Sequence, residues 1–148
     1  MKIAIGSDHA GFELKEFIKN NIVKDSVVFQ DVGTDSKESV DYPDFAYRVA
    51  KSVAENNSDL GILICSSGIG MSIAANKVKG IRAALCSTPK LAEMSKLHNN
   101  ANILTMGADY ISPESAVETV LKFISTSFSD APRHKRRIEK ISDIEKNN

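Results

Sequence analysis

The sequence predicts an α/β fold: a five-stranded parallel sheet with helices on both faces, followed by a helical tail. Two observations carry this reading. Short apolar runs alternate along the chain with stretches whose apolar residues recur at helical spacing. One of those runs, Leu60 to Cys65, is apolar without interruption, as a strand covered on both faces must be. The length agrees, since 148 residues suit a single domain.

The elements can be taken in order. Lys2-Ile3-Ala4-Ile5 is a β-rich run ending at Gly6. Phe12 to Val23 places Leu14, Phe17, Ile18 and Ile22 on one helical face. Val27-Val28-Phe29 opens a second strand that Asp31-Val32-Gly33 closes. Pro43 suits the start of a helix whose stripe is Phe45, Ala46, Val49, Ala50, Val53 and Ala54. After the Leu60–Cys65 strand, Ser66 to Gly70 turns the chain into a helical stretch from Met71 to Lys77. Ile81 to Cys86 reads as a fourth strand, Pro89 to Leu97 as a helix and Ile103 to Met106 as a fifth strand. Ser112-Pro113-Glu114 then starts a helix that turns Val117, Val120, Leu121 and Ile124 inward. Residues 1–148 form one domain. From about Asp130 the chain becomes an arm, in which a cationic cluster precedes Ile138, Ile141 and Ile144 at three-residue spacing. That narrow seam needs a groove, on its own domain or on a neighbour's.

Composition narrows the function. Nineteen Lys and Arg against nineteen Asp and Glu give no net charge, which argues against bulk capture of nucleic acid or an anionic membrane. No apolar run is long enough to span a bilayer, and Asp8 and His9 interrupt the first apolar stretch where a signal peptide would need continuity. Cys65 and Cys86 form no CxxC pair and are too few to staple a small secreted fold, so a cytoplasmic setting is expected.

Open parallel sheets bind ligands outside the carboxyl ends of their strands. The residues just beyond each strand are therefore the place to look for chemistry. They are Gly6-Ser7-Asp8-His9-Ala10-Gly11 after the first, Cys65-Ser66-Ser67-Gly68-Ile69-Gly70 after the third, and His98-Asn99-Asn100 after the fourth strand and its helix. The loop at Cys65 is the strongest signal. Gly68 and Gly70 let backbone approach a ligand, and the helix beyond them offers N–H groups to an anion. A thiol at that turn would feel the positive helix end, which favours thiolate and suits a nucleophile or a proton-abstracting base. The same residue also reads as a buried strand cysteine, and Cys86, with no glycine loop after it, reads mainly so. Rival loops are excluded by inspection: Met71 stands where a tyrosine-phosphatase loop needs Arg, no Gly-Lys-Ser/Thr occurs, and Ile73 breaks a GxGxxG pattern begun at Gly68. His9 beside Asp8 reads by default as a surface or capping residue and otherwise as a phosphate ligand or half of an acid–base pair, and His98 reads as the end of a helix. Arg133 and Arg137, four apart on one helical face, form either a solvated surface or an anion clamp.

Taken together, these segments resemble the ribose-5-phosphate isomerase B family. The resemblance rests on Gly-Ser-Asp-His-Ala-Gly at Gly6–Gly11, on Asp-Tyr-Pro at Asp41–Pro43, and on Ile-Cys-Ser-Ser-Gly-Ile-Gly-Met-Ser-Ile-Ala-Ala-Asn-Lys at Ile64–Lys77. Gly-Ile-Arg-Ala at Gly80–Ala83, His-Asn-Asn-Ala-Asn at His98–Asn102 and Arg-His-Lys-Arg-Arg at Arg133–Arg137 complete it. The wider family includes galactose- and allose-6-phosphate isomerases. The resemblance implies a Rossmann-like αβα sandwich and a cofactor-free, metal-free conversion of an aldose phosphate to a ketose phosphate through an enediolate. Its substrate would be a small phosphorylated sugar. It further implies that Cys65 is the base, that Ser67 and the loop from Ser66 through Gly68, Ile69 and Gly70 cradle the enediolate, and that His98 assists ring opening. Asp8, Tyr42 and Asn99 would contact the sugar, while His9, Arg133 and Arg137 would hold the phosphate. A homodimer or tetramer with sites shared between subunits is implied too, which would give the isoleucine seam a partner surface.

Two positions depart from the family pattern. Ser66 stands where the family usually has Gly. Asp109 lies two residues after Gly107, where many members carry a phosphate-binding Arg, and a carboxylate there repels phosphate unless it turns away or pairs with a tail arginine. These departures keep two alternatives open, a hexose 6-phosphate isomerase and a non-catalytic flavodoxin-like module that binds a phosphorylated ligand.

Overall fold

A single five-stranded sheet, all parallel, organises the chain in the computed structural model, which describes residues 1–148. The strands are β1 (Lys2–Ser7), β2 (Val28–Asp31), β3 (Leu60–Cys65), β4 (Ala83–Leu85) and β5 (Ile103–Gly107). The helices are α1 (Phe12–Asn21), α2 (Tyr42–Ala54), α3 (Ile69–Ala75), α4 (Pro89–Asn99), α5 (Pro113–Ser125) and α6 (Pro132–Lys146). The expected α/β class with helices on both faces is what the chain adopts. Its sheet order is β2-β1-β3-β5-β4.

That order dictates the layers. The path runs outward from β1 to β2, returns past β1 to β3, jumps to the β4 edge and comes back to β5. Right-handed crossovers then place helices of opposite travel on opposite faces. One face buries Ile3, Ile5, Ile62, Ile64, Leu104 and Met106 against α1, α4 and α5, through Ile18, Ala92, Val120 and Phe123. The other buries Ala4, Leu63, Cys65 and Ile103 against α2 and α3, through Phe45, Val49, Val53 and Met71. All six residues of β3 are buried, as their continuous apolarity predicts.

Several boundaries differ from the expected ones for local reasons. Helix α1 stops at Asn21 rather than Val23, and Val23 is left exposed. Helix α3 begins two residues earlier than Met71, because Gly68 takes φ +77° and starts the helix directly after the turn. Only Ala83–Leu85 of the fourth apolar run joins the ladder, although Ile81 and Cys86 are buried on either side. Helix α4 extends two residues beyond Leu97, through His98 to Asn99, and ends on Asn100 in the left-handed region at φ 44°.

A charged cluster at the β2 edge departs from simple burial. Lys15 is only 1% exposed, and its ammonium donates to Asp31 Oδ2 at 2.5 Å and to Glu16 Oε1 at 3.1 Å. Lys19 completes the set, at 2.7 Å from Asp31 and 3.0 Å from Glu16. Burial works against the Asp31 carboxylate, but the two lysines and the Gly33 N–H outweigh it and hold its pKa below the usual range. The stabilisation is therefore complete above the ordinary carboxylate pKa of about 4 and is lost as pH falls through the lower folded value.

This packing can be tested at two positions. Asp31→Ala leaves a buried ammonium short of its partner and is expected to cost about 3 kcal/mol in urea unfolding at pH 7. The gap to wild type should close as the pH is lowered below about 4. Gly107→Ala tests the end of β5, where a Cβ would lie 2.5 Å from the Ser67 carbonyl oxygen and 2.6 Å from its carbon. Rigid backbone on both sides makes a loss of about 1–3 kcal/mol the expected result, read as a lowered thermal midpoint.

Candidate active site

The strand order reverses between β1 and β3, and the crevice at that switch point is where open α/β sheets bind ligands. Ser7 pairs with Ile64, so the next residues on the two strands, Asp8 and Cys65, emerge side by side at the carboxyl edge. Asp8 is 6% exposed and is fixed at both ends. Its N–H donates to the Ile64 carbonyl at 3.3 Å, and its carboxylate accepts the Gly11 N–H at 3.1 Å. The turn is tight: a Cβ on Gly11 would collide with the Ile64 carbonyl.

Cys65 is 4% exposed, and its Sγ accepts the Gly68 N–H at 3.1 Å. Ser67 Oγ accepts the Ile69 N–H at 3.3 Å. Two of the loop amides expected to cradle an enediolate thus have partners inside the loop. The Gly68 amide serves the sulfur and the Ile69 amide serves the serine hydroxyl, so the loop commits two donors to shaping its own side chains. Beyond them, the Tyr42 ring lies against Gly70, where a Cβ would approach its ring carbons to 2.6 Å. That contact makes Tyr42 a wall of the crevice. His9 accepts the Val40 N–H on Nδ1 at 3.2 Å, which leaves Nε2 as its free ring nitrogen. Ser66 is exposed, and its carbonyl accepts the Asp109 N–H at 3.0 Å. A cavity of about 500 Å³ opens beside Ser67, between Leu85, Ser87 and Tyr110. Cys86 also lines it, but burial pushes that thiol up with only partial relief from Ser95, in keeping with its reading as a packing residue.

His98, Asn99, Arg133 and Arg137 do not join this group within the chain. Helix α4 starts near the carboxyl end of β4 and runs back along the sheet, so His98 and Asn99 arrive at the amino ends of the strands. The Arg82 guanidinium, just ahead of β4, donates to the carbonyls of Asn99 at 3.0 Å and Asn100 at 2.8 Å. Arg133 and Arg137 are exposed on the first turns of α6, beside Lys135, which pairs with Asp130 at 2.8 Å. The length of β3 puts the two groups on the order of 16 Å apart, with the core between them. Asp109 lies with the first group and makes no ion pair with a tail arginine of its own chain.

The arm packs back by its two ends. Glu145 accepts the Gly80 N–H at 2.8 Å, and His134 stacks on His98 with ring centroids 4.5 Å apart and planes 19° apart. The isoleucine seam is not buried by this chain. Ile141 and Ile144 are 45% and 64% exposed and overhang a cavity of about 750 Å³. His134, the one buried residue of α6, is not visible from spacing because it stands inside a run of cations. Its only signal is that a histidine interrupts that run.

Comparison with known proteins matches this geometry to one family. Residues 3–141 fit the ribose/galactose isomerase family. Ribose-5-phosphate isomerase B of Escherichia coli is 44% identical over 144 residues, covering 97% of this chain and 96% of that protein. The solved ribose-5-phosphate isomerase B of Clostridium thermocellum superposes with a TM-score of 0.96 at 46% identity, over 99% of both chains. That of Mycoplasma genitalium, solved with bound ribulose 5-phosphate, gives a TM-score of 0.93 at 40% identity, over 99% of this chain and 97% of that one. With the motif segments in order and the fold shared end to end, the chain belongs to the ribose/galactose isomerase family.

Proposed function

We propose that this protein is a sugar-phosphate isomerase that interconverts ribose 5-phosphate and ribulose 5-phosphate through an enediolate. The observation that carries the reading is the Cys65 loop at the switch point, where a sulfur accepting the Gly68 N–H sits beside Asp8 and Ser67. The relatives named ribose-5-phosphate isomerase B, one of them binding ribulose 5-phosphate, support the choice of substrate.

The chemistry asks for little beyond a base and an anion cradle. The Cys65 thiolate takes the proton from C2 of the open-chain aldose, and the electron pair moves into the C1–C2 bond while the aldehyde oxygen becomes anionic. Ser67 and the Gly70 N–H stabilise that oxygen. The proton returns at C1 as the C2 hydroxyl proton passes to O1, so atoms and electrons balance within the substrate. Asp8 and Tyr42 hold the sugar hydroxyls, and His9 meets the phosphate. His98 moves the proton that opens the furanose ring, Asn99 bonds the sugar, and Arg133 and Arg137 grip the phosphate bidentately.

Those last four residues stand at the far end of the sheet from Cys65, so the working site takes them from a second copy of the chain. A homodimer, or a tetramer built from such dimers, completes the site, and the open seam at Ile141 and Ile144 supplies apolar surface for association.

Cys65→Ala should lower ribose 5-phosphate turnover at least ~10²-fold, and equal rates for variant and wild type would exclude the thiol as base. Measuring kcat/KM for ribose 5-phosphate against allose and galactose 6-phosphates identifies the substrate, with the pentose expected to lead. Nucleotide binding with no turnover of any sugar phosphate would replace the enzyme reading by a binding module. Mixing inactive Cys65→Ala chains with inactive His98→Asn chains should recover about one quarter of wild-type activity, since random dimers then carry one intact site in half the molecules. No recovery after subunit exchange would show that one chain supplies both residues.

A further inference from the structure

We propose that His134 is a positioning residue for His98: its stacked ring fixes the plane in which the His98 imidazole meets a substrate and ties that imidazole to the docked arm. The inference rests on the reading of His98 as the ring-opening residue given above.

His98 occupies the last turn of α4 and is exposed. The backbone around it is held firmly. Arg82 bonds the carbonyls of Asn99 and Asn100 at 2.8–3.1 Å, and Asn100 closes the helix in the left-handed region. The imidazole itself has no hydrogen-bond partner in the chain. Its restraint is the face of His134, 4.5 Å away between centroids and 19° from parallel. A histidine on an exposed helix end is otherwise free to turn about two side-chain torsions, and proton transfer to a sugar ring needs one orientation of them.

His134 is unlike the rest of its helix. It is 5% exposed, whereas Arg133, Lys135, Arg136 and Arg137 around it are all exposed. A buried polar ring on a solvated arm calls for a purpose beyond packing. Its charge state suits support of a neighbour. Burial lowers the His134 pKa, and Arg133, His98 and Arg137 lower it further, so the ring is neutral at neutral pH. Lys135, on the same turn, is already paired with Asp130. A neutral aromatic face tolerates a proton on the stacked partner, and attracts it, where a second imidazolium would repel it.

The arm carries phosphate-binding and positioning roles on one turn, and kinetics separate them. In the assembled protein, His134→Ala should lower kcat for ribose 5-phosphate about tenfold or more while KM stays within about twofold, because Arg133 and Arg137 remain on an arm still pinned by Glu145 and Gly80. His134→Phe, which restores a flat ring without a titrating group, should recover most of the kcat. In the wild-type proton spectrum, the His98 Cε1–H resonance should show the upfield ring-current shift of a stacked neighbour, lost in His134→Ala and kept in His134→Phe. An unchanged kcat in His134→Ala, or a raised KM at constant kcat, would overturn the positioning role. A Phe variant as impaired as the Ala variant would overturn the stack as its basis. His98→Ala serves as the reference: if it retains wild-type kcat, the assignment of His98 itself fails, and if it is impaired while His134→Ala is normal, only the present inference fails.

Discussion

The direction of the chain in a parallel sheet governs most of what this molecule does with its functional residues. Every strand points the same way, so every connecting helix runs back and delivers its own carboxyl end to the opposite side of the sheet. Residues just after a strand, such as Asp8 and Cys65, gather at one edge. Residues that end a helix, such as His98 and Asn99, gather at the other. The hydrophobic core that stabilises the fold fills the space between them, and no side chain crosses it. The separation of the two groups is thereby built into the fold class itself.

Within the first group, the short loop after β3 makes much of its own environment. Gly68 takes the left-handed turn that points its N–H at the sulfur, and Gly70 yields the space that the Tyr42 ring occupies. Gly107 leaves room for the Ser67 backbone from the neighbouring strand. Three glycines thus serve three different purposes within one crevice. A side chain at any of them would have to displace backbone or ring atoms.

The parts of this architecture visible in the sequence are those where one local rule acts alone. Leu60 to Cys65 reads as a buried strand because nothing but burial explains six apolar residues in a row. The helices at Pro43, Pro89 and Pro113 announce themselves by a proline in the first turn. Boundaries are harder to read where two effects compete. Ile81 and Cys86 are buried outside the Ala83–Leu85 register, although the Cys86 N–H still donates to the Thr105 carbonyl, so apolarity overstates the length of β4. At the site, the residue types are legible and their grouping is not. His98 comes after a strand and a helix in sequence, but only the antiparallel return of α4 reveals which edge it reaches. Lys15 and His134 are hidden for a related reason: each looks like surface by type, and each is buried by a partner remote in sequence, Asp31 in one case and His98 in the other.

The two outer strands of the sheet have a further consequence. β2 has four residues and β4 has three, so little unpaired ladder is offered at either margin. At the β2 margin the charged set of Lys15, Lys19, Glu16 and Asp31 also lies across the end of the strand. Short, charge-flanked margins resist the strand-to-strand addition by which sheets grow into aggregates. What the sheet leaves open at the surface is helix and loop, the same surface on which the residues that follow the strands and end the helices lie.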